Sequence, residues 1–494
     1  MKPQRPGLLR RDCLGAAAAA ALSALSALGA GCAQVVPAPS AEPLAAAFKP
    51  TDVRQAERLR ELGLADREAW SLLRELTTSV GARPAGSSGD VKAVAWALAA
   101  MRRLGLQNVR AESLPLKVWQ RGPASAQLTA PNARTLVMAA LGNSIATPEA
   151  GIEADIAWYA DIAALKADSS DRARGRIVFI DQKTERFRDG RGYGVAVQAR
   201  TEGPIEAARR GAVALGIRSI GTDRAAIAHT GAMRYELTLP RIPAFAVSVL
   251  DAEHMAALNS AGQTLRLRLN LQAQSDVPAT THNVIGEIPG TDLADEIVLI
   301  GAHLDSWDLG PGAQDDGAGV AIVTAAAGVL QGLVKSSGLR PRRTVRVVLF
   351  GNEENGFDGA LAYGDRYKDV VHQLVAESDF GAGRVWGLRS RIQTDALPLM
   401  KPWAELLAPL GVAVPTENAN QGSPGPDAAL LMRRHRWPAV QLSQDGTNYF
   451  DIHHTEHDTL DRVDPATLPQ NVACWAVSAW LAAQAPLRFG PPPL

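Results

Sequence analysis

The chain has 494 residues, more than one hydrophobic core accommodates, so we expect two domains and a leader. Apolar residues make up 46% and charged residues 21%, as in soluble globular proteins. Lys and Arg total 51 and so do Asp and Glu, which leaves a net charge of zero. No basic run is interleaved with aromatic residues, so the sequence argues against nucleic acid as a partner.

The first 32 residues have the pattern of a secretory signal, with a basic start and an Ala/Leu-rich middle. Their end, "LGAGC", resembles a bacterial lipoprotein box and makes Cys32 a candidate lipid anchor, although Leu28 stands one place too far from the cysteine. A plain signal cut near Ala33 and a twin-arginine signal at Arg10-Arg11 are the alternatives. In every case a Pro/Ala-rich linker follows at 33–49. We expect export to the periplasm or cell envelope, with secretion as the other outcome.

The cysteines exclude one class of metal site. They are Cys13, Cys32 and Cys474. Only Cys474 lies outside the leader, so we expect no intrachain disulfide in the mature chain and no cysteine ligand for a metal.

Helical patterns come first in the mature chain. Apolar residues at helical spacing predict two short helices within 50–80, and "VKAVAWALAAMRRLG" predicts a third that stops at Gly105. The next stretch, "LQNVRAESLPLKVW", is typical of a strand. We interpret residues 50–120 as the first part of the larger domain.

From residue 121 to 275 the pattern is that of short strands separated by Gly, Pro and Asn turns, which predicts a β-rich module. Its strands are expected at "TLVMAAL", "GIEADIAWYA" and "GRIVFID", and one helix at "PIEAARRGAVALGIRS". His229 and His254 stand alone in this sequence, so we expect no metal-binding role for them. We call residues 121–275 the inserted module.

Residues 276–490 alternate strands with helices, which is typical of a mixed, mainly parallel α/β sheet. The expected strands are "HNVIGEIPG", "EIVLIGAHLD", "TVRVVLFGNEE", "HQLVAESDFGAG" and "PAVQLSQDG". The helices of 50–120 are expected to pack on the same sheet. The inserted module would then separate two parts of one α/β domain.

Acids and histidines follow the predicted strands of 276–490. They are His303, Asp315, Glu353, Glu354, Asp379 and His454. Because sites form at the carboxyl ends of strands in open α/β sheets, we expect these side chains to converge. Imidazole nitrogens and carboxylate oxygens are ligands that zinc prefers, and so many carboxylates would repel each other without cations. The sequence predicts two Zn²⁺ ions bridged by Asp315, which suits ions about 3.5–4 Å apart.

The order of these motifs resembles metallopeptidase family 28, the co-catalytic zinc aminopeptidase type. The matching motifs are His-x-Asp, one Asp before Asp-Gly, Glu-Glu, Asp, and His-Thr-x-x-Asp-Thr. "GRIVFIDQ", "HNVIGEIPG", "ESDFGA" and "HHTEHDT" resemble the carboxypeptidase Q branch most closely. The resemblance implies a zinc-exopeptidase fold in which the inserted module is a protease-associated domain. It also implies hydrolysis of dipeptides or short peptides, and a homodimer.

The resemblance assigns a role to each motif residue. The implied zinc ligands are His303, Asp315 and Asp379 for one ion and Asp315, Glu354 and His454 for the other. Asp305 would orient His303, and Glu353 would be the general base. A cis peptide is implied after the bridging carboxylate, at Asp315-Asp316.

Several alternatives stay open at this point. Asp427, in "NANQGSPGPDAALL", would pair with a substrate amine, support the metal-binding residues from behind, or cap the helix that follows. His372, His435 and His457 are expected at the surface. A catalytically inactive binding protein on the same scaffold is an alternative function, although all matched positions hold competent residues. A different two-zinc exopeptidase family would carry its extra domain after the third ligand, whereas here it precedes His303.

Overall fold

The computed structural model describes residues 48–415 and 419–493, so the expected signal peptide and nearly all of the linker lie outside the described residues. Its strands in these ranges are β1 (Gln107–Ala130), β2 (Arg134–Leu136), β3 (Met138–Ala140), β4 (Ile152–Tyr159), β5 (Ile177–Ile180), β6 (Ala214–Arg218), β7 (Ala244–Val247), β8 (Arg266–Ile288), β9 (Leu293–His303), β10 (Arg343–Phe350), β11 (His372–Glu377), β12 (Val385–Arg391) and β13 (Ala439–Gln444). Its α-helices are α1 (Pro50–Leu64), α2 (Glu68–Glu75), α3 (Ser88–Arg103), α4 (Ile162–Ala167), α5 (Arg191–Ala196), α6 (Gln198–Thr201), α7 (Gly203–Arg209), α8 (Val249–Ser260), α9 (Ala318–Ser337), α10 (Asp358–Arg366), α11 (Met400–Leu407), α12 (Pro426–His435) and α13 (Leu468–Gln484).

The described strands form one continuous sheet in the order β12-β13-β11-β9-β10-β8-β4-β5-β6-β7-β3, with β1 on β8 and β2 on β1. Strands β9, β10 and β11 are parallel neighbours, whereas β8 and β12 pair antiparallel with their neighbours β10 and β13. The mixed, mainly parallel α/β sheet expected from 276–490 is therefore confirmed.

Side chains of β9 alternate between two helical layers because successive residues of a strand point to opposite faces. Val298 and Ile300 pack in the core formed with α1, α2, α9 and α13. Ile297 and Leu299 pack on the other face, in the core formed with α10 and α12. Burial on both faces explains why β9 reads as a nearly continuous apolar run.

The inserted module contains its own parallel sheet, β4-β5-β6-β7, with α4 between β4 and β5, α5 to α7 between β5 and β6, and α8 after β7. The expected boundaries at 120/121 and 275/276 fall inside β1 and β8, two long strands that pair along almost their whole length. Their register is irregular between Val118 and Ala124, close to the first boundary. A β-bulge of this kind increases the local twist, so the paired strands change direction where they leave the α/β part.

Two sequence expectations about elements were wrong. "PIEAARRGAVALGIRS" is not one helix, because α7 ends at Arg209 and β6 begins at Ala214. Gly211 adopts φ +76° between them, which favours glycine and ends the helix. Strand β12 was not expected at all. Its residues, Val385–Arg391, pair with β13 at the edge of the sheet.

The segment Ala313–Ser337, which contains α9, is long and apolar enough to cross a membrane. In the fold it is a core helix, since 78% of its most apolar 18-residue stretch is buried inside the protein. A helix that is apolar all round is expected in such a position.

Replacing a core side chain of α9 tests this packing. Leu330 is fully buried, so Leu330→Ala should lower the free energy of unfolding by about 2–5 kcal/mol in a denaturant titration. Leu237→Ala is the matched control, because Leu237 is 92% exposed and its loss should change stability by less than about 0.5 kcal/mol. Equal stability of the two variants would contradict the core position of α9.

Candidate metal centre

Three neighbouring parallel strands carry candidate donors to one edge of the sheet. His303 is the last residue of β9. Glu353 and Glu354 follow the end of β10, and Asp379 follows the end of β11. These strands are parallel, so their carboxyl ends meet at the same edge. His454 reaches this edge from the loop after β13.

The Asp315 carboxylate lies between two histidine rings. Its Oδ1 is 3.3 Å from Nε2 of His303, and its Oδ2 is 3.0 Å from Nε2 of His454. Each ring also faces a second carboxylate. Asp379 Oδ1 is 3.6 Å from His303 Nε2, and Glu354 Oε2 is 3.0 Å from His454 Nε2. The five residues expected as ligands thus form two groups that share Asp315.

The backbone around Asp315 is held by other buried polar groups. Asp458 accepts hydrogen bonds from the backbone N–H groups of Gln314 and Asp315. Asp316 accepts from the N–H of His303 and of Gly319, so its carboxylate ties the loop to both β9 and α9. The Asp315-Asp316 peptide is cis, as the resemblance implied.

Arg83 holds the loop between β9 and Asp315. Its buried guanidinium donates hydrogen bonds to the carbonyl groups of Leu304, Pro311 and Gly312. A buried cation here also offsets part of the negative charge of the nearby aspartates. Arg83 could not be identified from the sequence, because a single arginine in a Gly/Pro-rich loop carries no recognisable signal.

Asp305 contacts more than His303. Its carboxylate accepts hydrogen bonds from the backbone N–H of Glu353 at 3.0 Å and of Glu354 at 3.3 Å. Its side chain is 3.7 Å from Nδ1 of His303, whereas its backbone carbonyl is 3.1 Å from the same nitrogen. Asp305 therefore positions the two glutamates through its side chain and faces His303 mainly through its main chain.

His453 is a second histidine close to Asp315. Its ring stacks on His454 with centroids 3.5 Å apart, and its Nε2 is 3.4 Å from Asp315 Oδ2. His454 is nearer to Asp315 and also reaches Glu354, whereas burial and the charge of His454 hold the pKa of His453 well below its usual value. The geometry favours His454 as the donor.

The donor set fits a bound cation. Among the described residues, Glu354 Oε1 is buried without a hydrogen-bond partner, and Asp315 Oδ2 receives no well-aligned hydrogen bond although His454 Nε2 lies 3.0 Å away. Buried polar atoms are normally satisfied, and buried charges are normally paired or coordinate metals. Two imidazoles and three carboxylates are also the donor chemistry of zinc. The residues present therefore suit a metal centre.

The charges of the donors depend on one another. Burial lowers the pKa of His454, but the carboxylates of Glu354 and Asp315 raise it more, to about 9. Burial raises the pKa of Asp315, but His303 and His454 hold it well below its usual value. Without a metal, protonated histidines thus supply the positive charge that balances these carboxylates. A metal ion would replace these protons.

A cavity of about 550 Å³ opens onto this centre. Glu353 lines it, together with Asp315, Glu354, Asp379 and His454. Residues of the inserted module also line the cavity, among them Tyr193, Arg200 and Met233. Burial and the neighbouring carboxylates of Asp379 and Glu354 raise the pKa of Glu353. A carboxylate with a raised pKa in a cleft is suited to proton transfer.

Asp427 lies in the first turn of α12 and is 1% exposed. Its two carboxylate oxygens have no hydrogen-bond partner among the described residues, so its side chain does not cap the helix. Glu377 does so instead, by accepting the N–H of Ala428. Burial and the Glu377 charge raise the pKa of Asp427. Its contact with a substrate amine stays a prediction.

Two histidines have surroundings that the sequence did not indicate. His372, expected at the surface, is buried and stacks on Trp437 with centroids 3.6 Å apart. His229, for which no role was expected, is buried with Nδ1 2.6 Å from the carbonyl oxygen of His453. Both contacts join residues far apart in the chain, so local sequence could not show them.

Comparisons with known proteins identify the family of this chain. Residues 283–478 match the model of Peptidase family M28. Carboxypeptidase Q of Mus musculus is 35% identical over 410 residues, which cover 83% of this chain and 84% of that protein. The crystal structure of a Peptidase M28 precursor from Shewanella amazonensis SB2B is 42% identical and has a TM-score of 0.86, covering 90% of this chain and 99% of that chain.

A more distant structure supports the fold alone. An aminopeptidase from Aneurinibacillus sp. strain AM-1 is 19% identical, with a TM-score of 0.58, and covers 90% of this chain and 98% of that chain. The zinc-exopeptidase fold expected from the motifs is confirmed. The chain therefore belongs to peptidase family M28 and is a metallo-exopeptidase.

Proposed function

We propose that this enzyme is a two-zinc exopeptidase that hydrolyses dipeptides or short peptides. The observation that carries the proposal is the Asp315 carboxylate, whose two oxygens face different histidines, His303 and His454. A carboxylate shared in this way suits two ions about 3.5–4 Å apart. The proposed ligands are His303, Asp315 and Asp379 for one zinc, and Asp315, Glu354 and His454 for the other.

Glu353 is the proposed general base. When bound, the zinc ions would supply a lowered pKa for the attacking water and polarisation of the scissile carbonyl. The Glu353 carboxylate accepts a proton from the attacking water and then donates it to the leaving amine nitrogen. Asp305 holds the N–H groups of Glu353 and Glu354. Both glutamates line the cavity, and the Glu354 carboxylate also faces His454.

The proposed substrate length follows from the shape of the site. The cavity of about 550 Å³ has the size of a pocket for a small ligand, and residues of the inserted module line it together with the donors. A short peptide with free termini fits a pocket of this size better than an extended chain. The name of the carboxypeptidase Q relatives supports an exopeptidase that acts at the carboxyl end of a peptide.

The remaining proposals concern the location of the protein in the cell and its oligomeric state. The signal-like residues 1–32 support export to the periplasm or cell envelope, with Cys32 as candidate lipid anchor and secretion as the alternative. The resemblance to the carboxypeptidase Q branch supports a homodimer.

Glu353→Gln separates catalysis from metal binding. The amide cannot take up a proton, so kcat should fall by about 10³-fold or more, while zinc content stays at two per chain. Zinc content by atomic absorption and dipeptide hydrolysis measure the two effects. As the matched variant, Asp315→Ala should lose zinc as well as activity. Glu353→Gln activity within about tenfold of the parent enzyme would contradict the role of Glu353.

Zinc affinity should depend on pH through His454. Its raised pKa means that in the metal-free fold the ring stays protonated at neutral pH and loses its proton as the pH rises through about 9. Zinc must displace this proton, so apparent affinity at that site should fall about tenfold per pH unit below 9. Chelator competition between pH 6 and 8 measures the slope. An affinity independent of pH would contradict the protonated state assigned to His454.

A substrate panel tests the proposed specificity. We expect the zinc-loaded enzyme to hydrolyse dipeptides faster than the same sequences with an acetylated amino terminus or an amidated carboxyl terminus, because an exopeptidase recognises a free end. The ratio of kcat/KM values within each pair identifies the terminus. Equal hydrolysis of a doubly blocked peptide would show an endopeptidase and contradict the proposal.

A further inference from the structure

A segment of the inserted module is hydrogen-bonded to the loop that carries His454. This segment, residues 219–231, follows β6, and we call it the His229 segment. Thr222 N–H donates to the carbonyl of Phe450 at 3.1 Å, and Thr230 N–H donates to the carbonyl of His454 at 3.0 Å. His229 Nδ1 lies 2.6 Å from the carbonyl of His453. The contacts run along the whole loop from Phe450 to His454.

The same segment also contacts the His454 ring. The carbonyl oxygen of Thr230 lies 3.3 Å from Nδ1 of His454. A carbonyl only accepts, so Nδ1 carries the hydrogen, and Nε2 is left to face Asp315 and Glu354. Ligating imidazoles commonly donate their second N–H to a carbonyl or carboxylate, which sets the tautomer and the ring direction.

We propose that the inserted module positions the His454 ligand through the His229 segment, and so forms part of the metal centre. The inference rests on the proposed function, because it requires His454 to bind a metal. His229, Thr230 and Gly231 are positioning residues in this account, since they act through His454 and contact no reacting atom.

Thr230 is held in place by hydrogen bonds at its carbonyl group and at its hydroxyl group. Nη1 of Arg200 donates to it at 3.1 Å. The Thr230 hydroxyl accepts from Arg121 at 2.9 Å and donates to the carbonyl of Ala140 at 2.8 Å. These partners all belong to the inserted module. The orientation of His454 therefore depends on the packing of that module.

Gly231 allows the close approach of these groups. Its φ of +134° favours glycine, and a Cβ at this position would lie 1.9 Å from Arg200 Nη1 and 2.9 Å from His454 Nδ1. Any other residue would displace one of the two groups.

The backbone of His454 also needs support. It adopts φ +61°, a left-handed conformation that is unfavourable for a residue with a Cβ. The hydrogen bond from Thr230 N–H to the His454 carbonyl and the bond from His229 to the adjacent carbonyl restrain this conformation.

His303 provides the comparison within the same site. Its Nδ1 faces the Asp305 carbonyl at 3.1 Å, which belongs to the α/β part of the chain. The two histidines are thus oriented by different parts of the molecule. A change in the His229 segment should weaken metal binding on the His454 side and leave the His303 side intact.

Stepwise zinc affinities of the full chain test the inference. His229→Ala and Gly231→Ala should each weaken one of two zinc sites by about 10–100-fold in chelator competition, and should alter the absorption spectrum of one of two bound Co²⁺ ions. His229→Asn, which keeps a donor, should recover part of the loss. His254→Ala is the matched control, because His254 is an exposed histidine of the same module and should change neither site.

Each outcome separates the inference from the proposed function. If the parent enzyme binds two zinc ions and His229→Ala and Gly231→Ala leave both affinities unchanged, the inference is wrong and the proposed function stands. Equal weakening of both sites with a lower unfolding temperature would show general destabilisation and also overturn it. A parent enzyme that binds fewer than two zinc ions, or an ineffective His454→Ala, would contradict the proposed function itself.

Discussion

The centre of this enzyme depends on one carboxylate with two partners. Asp315 turns one oxygen to His303 and the other to His454, and the second carboxylates of each group, Asp379 and Glu354, approach the same ring nitrogens. Several acids buried this closely repel one another unless positive charge lies between them. The arrangement therefore requires metal cations or protons between the acids. In both cases the surrounding fold holds the acids in the same place.

The supporting groups hold the backbone and leave the donor atoms free. Arg83 donates hydrogen bonds to three carbonyl groups of the loop that precedes Asp315. Asp458 accepts hydrogen bonds from the N–H groups of Gln314 and Asp315. Asp305 fixes the N–H groups of Glu353 and Glu354. Because the supports act on main-chain atoms, the carboxylate oxygens remain available to a metal. Residues of the inserted module line the same cavity as these oxygens.

The local sequence was sufficient to predict the helices and strands whose apolar residues recur with a clear period. It was also sufficient to predict the metal donors that directly follow strand ends. The apolar run before His303 and the acids after β10 and β11 identified the edge of the sheet, because a parallel sheet gathers such ends. It was insufficient for β12, where Arg, Trp and Gly interrupt the apolar pattern of "RVWGLRSR". Arg83 and His229 were missed because their partners lie 221 and 224 residues away in the chain. The continuity of β1 and β8 between the two parts was hidden for the same reason, since the pairing of long strands is a tertiary property.

The position of the metal ions themselves tests the account most directly. Anomalous diffraction at the zinc edge from zinc-loaded crystals should show two peaks, one on each side of the Asp315 carboxylate and about 3.5–4 Å apart. One peak should lie beside His303 and the other beside His454. A single peak, or two peaks that do not share Asp315, would contradict the central claim.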